Sequence, residues 1–306
     1  MRMVRFALLT AALLPATALA ADVPGTPWWL WPIALFAVTF LLGIVAVLGG
    51  IGGGVLFVPI VGGFFPFHLD FVRGAGLLIA LSGALAAGPT LLRGGLAHLR
   101  LAMPLALVGS ITSVLGAIAG FALPVAAVQT ALGAVILSIA ALMWRVQRAE
   151  RPLVDEPDVL GAALGMRGVF HDVATGDDVA WRVHQTPAGL VLFAGIGFMA
   201  GMFGLGAGWA NVPVLNLVMG APLKVAVGTS GLLLSVIDTA AAWVYINRGA
   251  FLPLLVVPSI LGIMLGARIG GRLLRTARAA TVRKIVIVLL LVAGTRALTR
   301  GAGLWG

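Results

Sequence analysis

The sequence predicts an all-α polytopic membrane protein made of two homologous repeats, on the evidence of its composition, its apolar runs and an internal match between its halves. Of its 306 residues, 61% are hydrophobic and 10% are charged, and the mean hydropathy is +1.12. A soluble domain carries about 25% charged residues, because its surface must face water. The apolar length suffices for roughly ten segments of about 20 residues, the length at which a helix crosses the hydrocarbon core.

Composition and charge also exclude several classes of protein. The net charge of +10 would indicate a nucleic-acid partner in a soluble protein, but here the basic residues cluster in short loops between apolar runs. We therefore expect a lipid bilayer and no nucleic acid as partner. The chain has no cysteine, and its four histidines are scattered without metal-ligand spacing. The sequence predicts no metal, no other cofactor and no enzymatic activity.

The first 21 residues have the form of a signal peptide. Arg2 and Arg5 precede an apolar core, Phe6 to Leu14, and Ala18-Leu19-Ala20 is a small-x-small cleavage site. The alternative is an uncleaved amphipathic start. Cleavage would leave the mature N-terminus outside the cytoplasm.

Apolar runs follow in two groups of five. They lie at about 32–49, 51–66, 71–92, 101–121 and 124–144, and at about 189–204, 205–222, 224–246, 251–268 and 281–298. Between the groups lies a polar stretch, in which alternating residues around Gly176 predict a small β-hairpin. We therefore divide the chain into a signal peptide (1–21), a first transmembrane repeat (22–145), a cytoplasmic polar linker (146–188) and a second transmembrane repeat (189–306).

The two halves match each other in one register, with a shift of 154 residues from Gly50 to Gly204. The matching pairs are Gly50 with Gly204, Gly52 with Gly206, Gly54 with Gly208, Val58 with Val212, Pro59 with Pro213, Gly74 with Gly228, Leu78 with Leu232, Gly95 with Gly249 and Pro104 with Pro258. Fixed spacing over this span indicates gene duplication and fusion.

Basic residues indicate how the two repeats are oriented. The start of the linker and the loop at 268–284 are both strongly basic. An even number of spans per repeat would put these segments on opposite sides of the membrane, against the positive-inside rule. Five spans per repeat put both in the cytoplasm, so we predict inverted repeats. Whether the short second run of each repeat crosses or re-enters stays open.

A glycine-rich break ends a span in each repeat and marks a candidate substrate site. The breaks are Gly49–Gly54, with Gly52, Gly53 and Gly54, and Gly204–Gly208, with Gly206 and Gly208. Glycine clusters weaken a helix, and a broken helix at membrane depth is tolerated where it faces protein or a polar cavity. Paired breaks in two repeats indicate a transporter binding site. The alternative is that the glycines only permit close helix packing.

The run after each break supplies candidate anion donors. Gly74 in the first repeat and Gly228 in the second are expected to begin a helix, whose free N–H groups suit an anion. Thr229 and Ser230 add hydroxyl groups, with N-capping as the alternative. Arg73 adds planar charged donors, and its alternatives are snorkelling to the interface or pairing with Asp70.

Asp238 is the acidic residue that lies deep inside an apolar run. A charge there costs at least about 2.5–3.5 kcal/mol, so an intramembrane acid is a functional candidate. Asp238 and Asp70 are the candidates for carrying a proton, although a neutral structural aspartate is the alternative for Asp238. Asn211 stands where the first repeat has Phe57, and is a candidate substrate-binding group.

These residues resemble the TauE/SafE sulfite exporter family, also called the toluene-sulfonate uptake permease family. The resemblance rests on the glycine-rich break with its proline (Gly50 to Pro59 and Gly204 to Pro213) and on Val225 to Ser230, and it covers about residues 33–145 and 189–298. It implies a multi-pass carrier of the bacterial inner membrane for small sulfur-containing anions such as sulfite or organosulfonates. The first repeat departs from the motif at Arg73-Gly74-Ala75-Gly76, which lacks the Thr-Ser pair.

Together these observations favour a secondary transporter, an exporter by its resemblance, that works by alternating access with a proton as candidate coupling ion. The rivals are a passive anion channel, a non-transporting membrane scaffold that acts through the linker, and an intramembrane enzyme. A homodimer is compatible with the sequence. The anion, the direction and the coupling ion are not determined by it.

Overall fold

The computed structural model describes residues 27, 29–49, 52–93, 96–145, 158–172, 176–273 and 279–303. In chain order its elements are α1 (Leu30–Gly49), α2 (Gly53–Phe64), α3 (Leu69–Arg93), α4 (Leu99–Ala122), α5 (Val125–Arg145), α6 (Val159–Ala163), β1 (Arg167–Asp172), β2 (Asp177–Arg182), α7 (Thr186–Phe203), α8 (Gly208–Pro213) with a π-helical continuation (Val214–Val218), α9 (Leu223–Asn247), α10 (Pro253–Leu273) and α11 (Ala279–Gly301). The expected signal peptide lies outside the described residues.

Long apolar helices confirm the predicted class of fold. Within the described residues, five helices are long and apolar enough to cross a bilayer, and three shorter apolar helices accompany them. The five are Leu69–Ala86, Leu99–Ala122, Thr186–Phe203, Leu223–Asn247 and Pro253–Gly270. Large apolar side chains point outward from them, such as Leu107 (64% exposed) and Trp243 (65%). Such a surface suits hydrocarbon, and the chain is a multi-pass membrane protein.

The helix boundaries follow the sequence match. The 154-residue shift maps α3 onto α9 at both ends, and it maps the first residues of α4 and α5 onto those of α10 and α11. Contacts between helices are exchanged in the same way. The shift relates α1 to α7 and α4 to α10. The two most extensive helix pairs, α1 with α10 and α7 with α4, are therefore equivalent to each other. Reciprocal contacts of this kind are what a two-fold relationship between two units produces.

The matching helices α3 and α9 run antiparallel. A Cβ added to Gly74, near the start of α3, would lie 2.6 Å from the carbonyl oxygen of Ala250, just beyond the end of α9. A Cβ added to Gly228, near the start of α9, would lie 2.5 Å from the carbonyl oxygen of Leu96, just beyond α3. The shift relates these two close contacts to each other as well.

Each repeat opens with a helical hairpin whose second arm is short. In the first repeat the ring of Trp31, near the start of α1, lies 5.9 Å from the ring of Phe65, just after α2. In the second, the N–H of His184 donates to the carbonyl oxygen of Met219 at 3.0 Å, which joins the segment before α7 to the end of the π-helical turn. In each hairpin the short arm therefore returns to the level at which the first arm begins.

The helices pack around two large hydrophobic cores. The first bundle, as we define it, contains α1, α2, α3 and α10, and the second bundle contains α7, α8, α9 and α4; α5 and α11 also pack on the first core. Each bundle thus has three helical segments of one repeat and one helix of the other. The ring system of Trp209 packs against both cores and lies at the boundary between the bundles.

The polar stretch between the repeats carries an antiparallel β-hairpin, which pairs Arg167 with Arg182 and Asp172 with Asp177. Its Trp181 contacts His98 edge to face, with ring centroids 4.8 Å apart. His98 precedes α4, so the hairpin lies at the end of the molecule where α3 finishes and α4 begins.

Candidate functional site

The two glycine-rich breaks meet at the centre of the molecule. A Cβ added to Gly208 would lie 3.1 Å from the backbone nitrogen of Gly52. A Cβ added to Gly54 would lie 2.6 Å from the carbonyl oxygen of Leu205 and 2.8 Å from that of Gly76. The neighbours are main-chain atoms that no side-chain rotation can move. Glycine is therefore required here so that the breaks can touch.

Asp238 of α9 lies directly against the second break. Its side chain is fully buried, and its Oδ1 accepts a hydrogen bond from the N–H of Ala207 at 3.3 Å. Its Oδ2 has no hydrogen-bond partner among the described residues, and a Cβ added to Gly206 would lie 2.9 Å from it. Gly206 has φ +71°, which favours glycine, so the turn of the break presents its backbone to the carboxylate.

Asn211 adds more polar atoms one helical turn beyond Ala207. Its backbone N–H donates to the carbonyl oxygen of Ala207 at 3.3 Å, and its side chain is fully buried. Neither Oδ1 nor Nδ2 of Asn211 has a hydrogen-bond partner among the described residues, and the same holds for Nε1 of Trp209. A buried polar group without a partner costs about 1–3 kcal/mol, so this cluster offers donors and an acceptor to a polar ligand.

The corresponding part of the first repeat is apolar. The shift of 154 residues assigns Phe57 to Asn211 and Ala84 to Asp238, and both are buried. Gly53 also serves packing, because a Cβ added there would lie 2.8 Å from Cδ1 of Ile263. The polar groups of the site therefore come from the second repeat.

The expected helix starts at Gly74 and Gly228 are wrong. α3 begins at Leu69 and α9 at Leu223, five residues earlier in each case. The N–H of Ala226 already bonds to the carbonyl oxygen of Pro222 at 2.8 Å. The glycines therefore lie in the second turn of their helices, where N–H groups bond within the helix rather than to a ligand.

Thr229 and Ser230 lie at the end of the molecule that carries the hairpin. The Oγ1 of Thr229 accepts a hydrogen bond from the backbone N–H of His98 at 3.2 Å. Thr229 is fully buried and Ser230 is 5% exposed. The hydroxyl of Thr229 thus joins α9 to the segment before α4.

Arg73 and Asp70 lie toward the opposite end. Arg73 is buried, forms an ion pair with Asp70, and donates a hydrogen bond to the carbonyl oxygen of Met202 at 2.9 Å. The ring of Tyr245 lies 5.6 Å from its guanidinium carbon. Tyr245 follows Asp238 by seven residues, about 10 Å along the helix axis. The guanidinium group of Arg73 is therefore held by protein partners, while its main chain packs against the second break, where a Cβ added to Gly204 would clash with the carbonyl oxygen of Arg73.

The structure thus brings together Gly52, Gly54, Gly206, Gly208, Asn211 and Asp238. Asp70, Gly74, Gly228, Thr229 and the side chain of Arg73 lie outside this group. Sequence reasoning missed two residues, one beside the breaks and one beside Arg73. Trp209 directly follows the second break, and Tyr245, the single tyrosine of the chain and a polar group in an apolar helix, lies beside Arg73. A tryptophan directly after a glycine-rich break and a single tyrosine within an apolar helix are the sequence signals that could have identified them.

Comparisons with known proteins agree with this architecture. Residues 35–297 match the family model described as sulfite exporter TauE/SafE. A relative from Bacillus subtilis (strain 168), named as probable membrane transporter protein YunE, is 26% identical over 140 residues. That match covers 46% of this chain and 50% of the relative, so the chain spans about half the length of the curated relative that it matches. No solved structure matches the chain. The chain belongs to the sulfite exporter TauE/SafE family.

Proposed function

We propose that the protein exports small sulfur-containing anions, such as sulfite or organosulfonates, across the bacterial inner membrane by alternating access. The anion binds where the two glycine-rich breaks meet, and Asp238 carries a proton. The family description names sulfite export, which supports both the class of substrate and the direction.

The observation that carries this proposal is the group of buried polar atoms beside the breaks. Nδ2 of Asn211 and Nε1 of Trp209 are hydrogen-bond donors suited to the oxygens of a sulfite or sulfonate. A carboxylate at Asp238 would repel an anion, whereas a protonated Asp238 donates a further hydrogen bond. Binding of the anion is therefore favoured by protonation of Asp238, which couples the two ions.

Alternating access is supported by the division of the helices between two large cores. At the breaks the bundles touch through glycine backbone. A smaller third core, which packs Leu77 of α3 against Ala117 of α4 and Tyr245 of α9, joins the bundles near Arg73. The reciprocal contacts and the antiparallel run of α3 and α9 support inverted repeats. With inverted repeats, each half adopts in the outward-open state the conformation that the other half has in the inward-open state.

We also propose that the hairpin end faces the cytoplasm and the Arg73 end faces outward, because most basic residues then lie inside. Two arginines at the proposed outer end have structural partners. Arg296 Nε donates to the carbonyl oxygen of Gly63 at 2.6 Å, and Arg300 Nη1 donates to that of Gly62 at 3.0 Å. They bind carbonyl groups in the last turn of α2, a common role for basic side chains at a helix C-terminus.

The test is counterflow in liposomes that contain the purified protein. Separate vesicle sets are preloaded with sulfite, sulfoacetate, an aryl sulfonate, sulfate or a simple carboxylate, and entry of the labelled anion is followed. Saturable counterflow confined to the sulfur anions supports the carrier and identifies its substrate. Flux without saturation or counterflow would indicate a channel, and no flux from folded protein would contradict transport of these anions.

A second test places the anion within the molecule. We expect Asn211→Ala to lower the rate of counterflow strongly, and the double change Thr229→Ala/Ser230→Ala to leave it close to that of the parent. Deletion of the hairpin distinguishes a carrier from a non-transporting scaffold. A carrier without the hairpin should still exchange anions. The opposite ranking of the two sets of variants would move the site to α9 near the hairpin.

A further inference from the structure

Arg73 connects the two bundles at one end of the molecule. It belongs to α3 of the first bundle, and it is 1% exposed. Its Nη1 donates to the carbonyl oxygens of Met202 in α7, at 2.9 Å, and Gly120 in α4, at 3.2 Å. Both acceptors belong to helices of the second bundle. One side chain therefore joins three helices across the boundary at which alternating access requires movement.

Aromatic rings of the second bundle enclose the same guanidinium. The ring of Phe121 in α4 lies 5.5 Å from the guanidinium carbon of Arg73, and the ring of Tyr245 in α9 lies 5.6 Å from it. The Tyr245 hydroxyl donates to the carbonyl oxygen of Gly201 at 2.9 Å. Cation–π contacts are strongest when the cation is desolvated, as it is here.

Asp70 neutralises Arg73 and connects the pair with the surface. It pairs with Nη2 of Arg73, and its own side chain is 25% exposed. His68, which is 55% exposed, lies 3.5 Å from it. The ion pair is thus buried on the side of the breaks and reaches water on the other side. If the bundles separate here, both charges can move into water instead of being left in an apolar interior.

The other end of the molecule has no equivalent of Arg73 among the described residues. The 154-residue shift assigns Val227, which is 45% exposed, to Arg73, and Ala75 to Thr229. There the hydrogen bond from His98 to Thr229 joins two helices of the same bundle. At the end that carries His68, the Arg73–Asp70 pair and the hydrogen bonds of Arg73 thus connect the bundles.

We propose that the Arg73–Asp70 pair is a gate that closes one end of the transport path and opens when the bundles separate. The proposal rests on the carrier function proposed above. Arg73 is a positioning residue here, since it acts through the helices that it holds.

The chain has no cysteine, so a single introduced thiol can report on access to the path. Ala80 is 3% exposed, follows Arg73 by two helical turns, and its Cβ would lie 2.8 Å from a Cβ at Gly206. The test measures how fast a membrane-impermeant thiol reagent labels the Ala80→Cys variant in liposomes. Single-thiol variants His68→Cys and Val169→Cys, at exposed positions on opposite ends, establish which end faces the reagent.

We expect the added double change Asp70→Asn/Arg73→Gln to raise the labelling rate of the Ala80→Cys variant roughly tenfold or more from the His68 end. This double variant removes both charges, so it leaves no unpaired ion in the interior. Asp70→Glu retains the charge and should keep the parent rate, and Arg73→Lys should give an intermediate rate. Val125→Ala, at an exposed position of the same end outside the pair, is the control and should change nothing.

Equal labelling of the parent and the double variant would overturn the gate. A rise of the same size from both ends would also overturn it, because it would indicate general loosening of the fold. Labelling needs no substrate, so the outcome stands apart from the counterflow test. If no anion shows counterflow but the double variant is labelled faster from the His68 end alone, the proposed substrates are contradicted and the gate is supported.

Discussion

In the second repeat the glycine-rich break is lined by Asn211 and Asp238, whereas the first repeat has Phe57 and Ala84 at the equivalent positions. A helix starts at Gly53 in the first repeat and at Gly208 in the second, which correspond to within a residue. The second break differs in its positive φ at Gly206, where Gly52 is extended, and in the π-helical turn that follows α8. Duplication has thus kept the scaffold in both halves and the polar chemistry in one.

This difference separates two requirements that a membrane carrier has to meet. The scaffold needs small residues in both repeats, because the two main chains touch only where side chains are absent. A small anion needs a few donors at one point, and a second polar set would add further unpaired groups to the interior at about 1–3 kcal/mol each. The following changes test which requirement each residue serves.

The largest effect is expected from Gly54→Ala, which tests the shared scaffold. The new Cβ would lie 2.6 Å from the carbonyl oxygen of Leu205, so the breaks must move apart. Overpacking of this kind costs about 1–3 kcal/mol, and we expect a lower thermal midpoint in detergent together with loss of counterflow.

Gly83→Ala is the matched control for this change. Gly83 also lies within a helix of the first repeat, and a Cβ added there would meet nothing within 4 Å. Its thermal midpoint should equal or exceed that of the parent, since alanine is the better helix former. A folded, active Gly54→Ala variant would show that the breaks do not need their close contact.

Asp238→Asn tests the proposed proton carrier with little change of shape. The amide oxygen can still accept the hydrogen bond from Ala207, so we expect stability within about 1 kcal/mol of the parent. Exchange of labelled anion should persist, because exchange needs no net movement of protons. Net transport driven by a pH gradient should fall to the level of protein-free liposomes. If the gradient still drives transport, Asp238 is not the coupling group.

Asn211→Leu makes the second break resemble the first. It removes two buried polar atoms that have no partner among the described residues, and we expect the thermal midpoint to rise. The anion should bind about tenfold more weakly, as the loss of about 1.4 kcal/mol from one hydrogen bond implies. The half-saturation concentration in counterflow measures this change.

The reverse change, Phe57→Asn, should lower the thermal midpoint and leave the affinity for the anion unchanged. A gain in affinity from Phe57→Asn would show that both breaks bind the substrate. The pair of variants therefore assigns binding to one repeat or to both.

Much of the fold and of the difference between the two breaks could be predicted from the sequence. The composition indicates membrane-spanning helices, and the fixed register of glycines and prolines indicates two repeats. The register predicted equivalent helices, and Asn211 opposite Phe57 already indicated a polar second break. The helix starts were misjudged, because Pro222 and His68 cap α9 and α3 earlier than the glycines suggested. The partners of Arg73 could not be predicted either, since they are carbonyl oxygens of α4 and α7, far away in sequence.

The smallest effect is expected from Thr229→Val, which tests whether the second repeat uses its hydroxyl groups for packing or for the anion. Valine has the shape of threonine but cannot accept the hydrogen bond from His98, so the thermal midpoint should fall by the equivalent of about 1 kcal/mol. Because this bond lies in the second turn of α9, away from Asn211 and Asp238, the half-saturation concentration should not change. Thr229→Ser, which retains the acceptor, is the control. A weaker affinity in the valine variant alone would extend the anion site from the break to the second turn of α9.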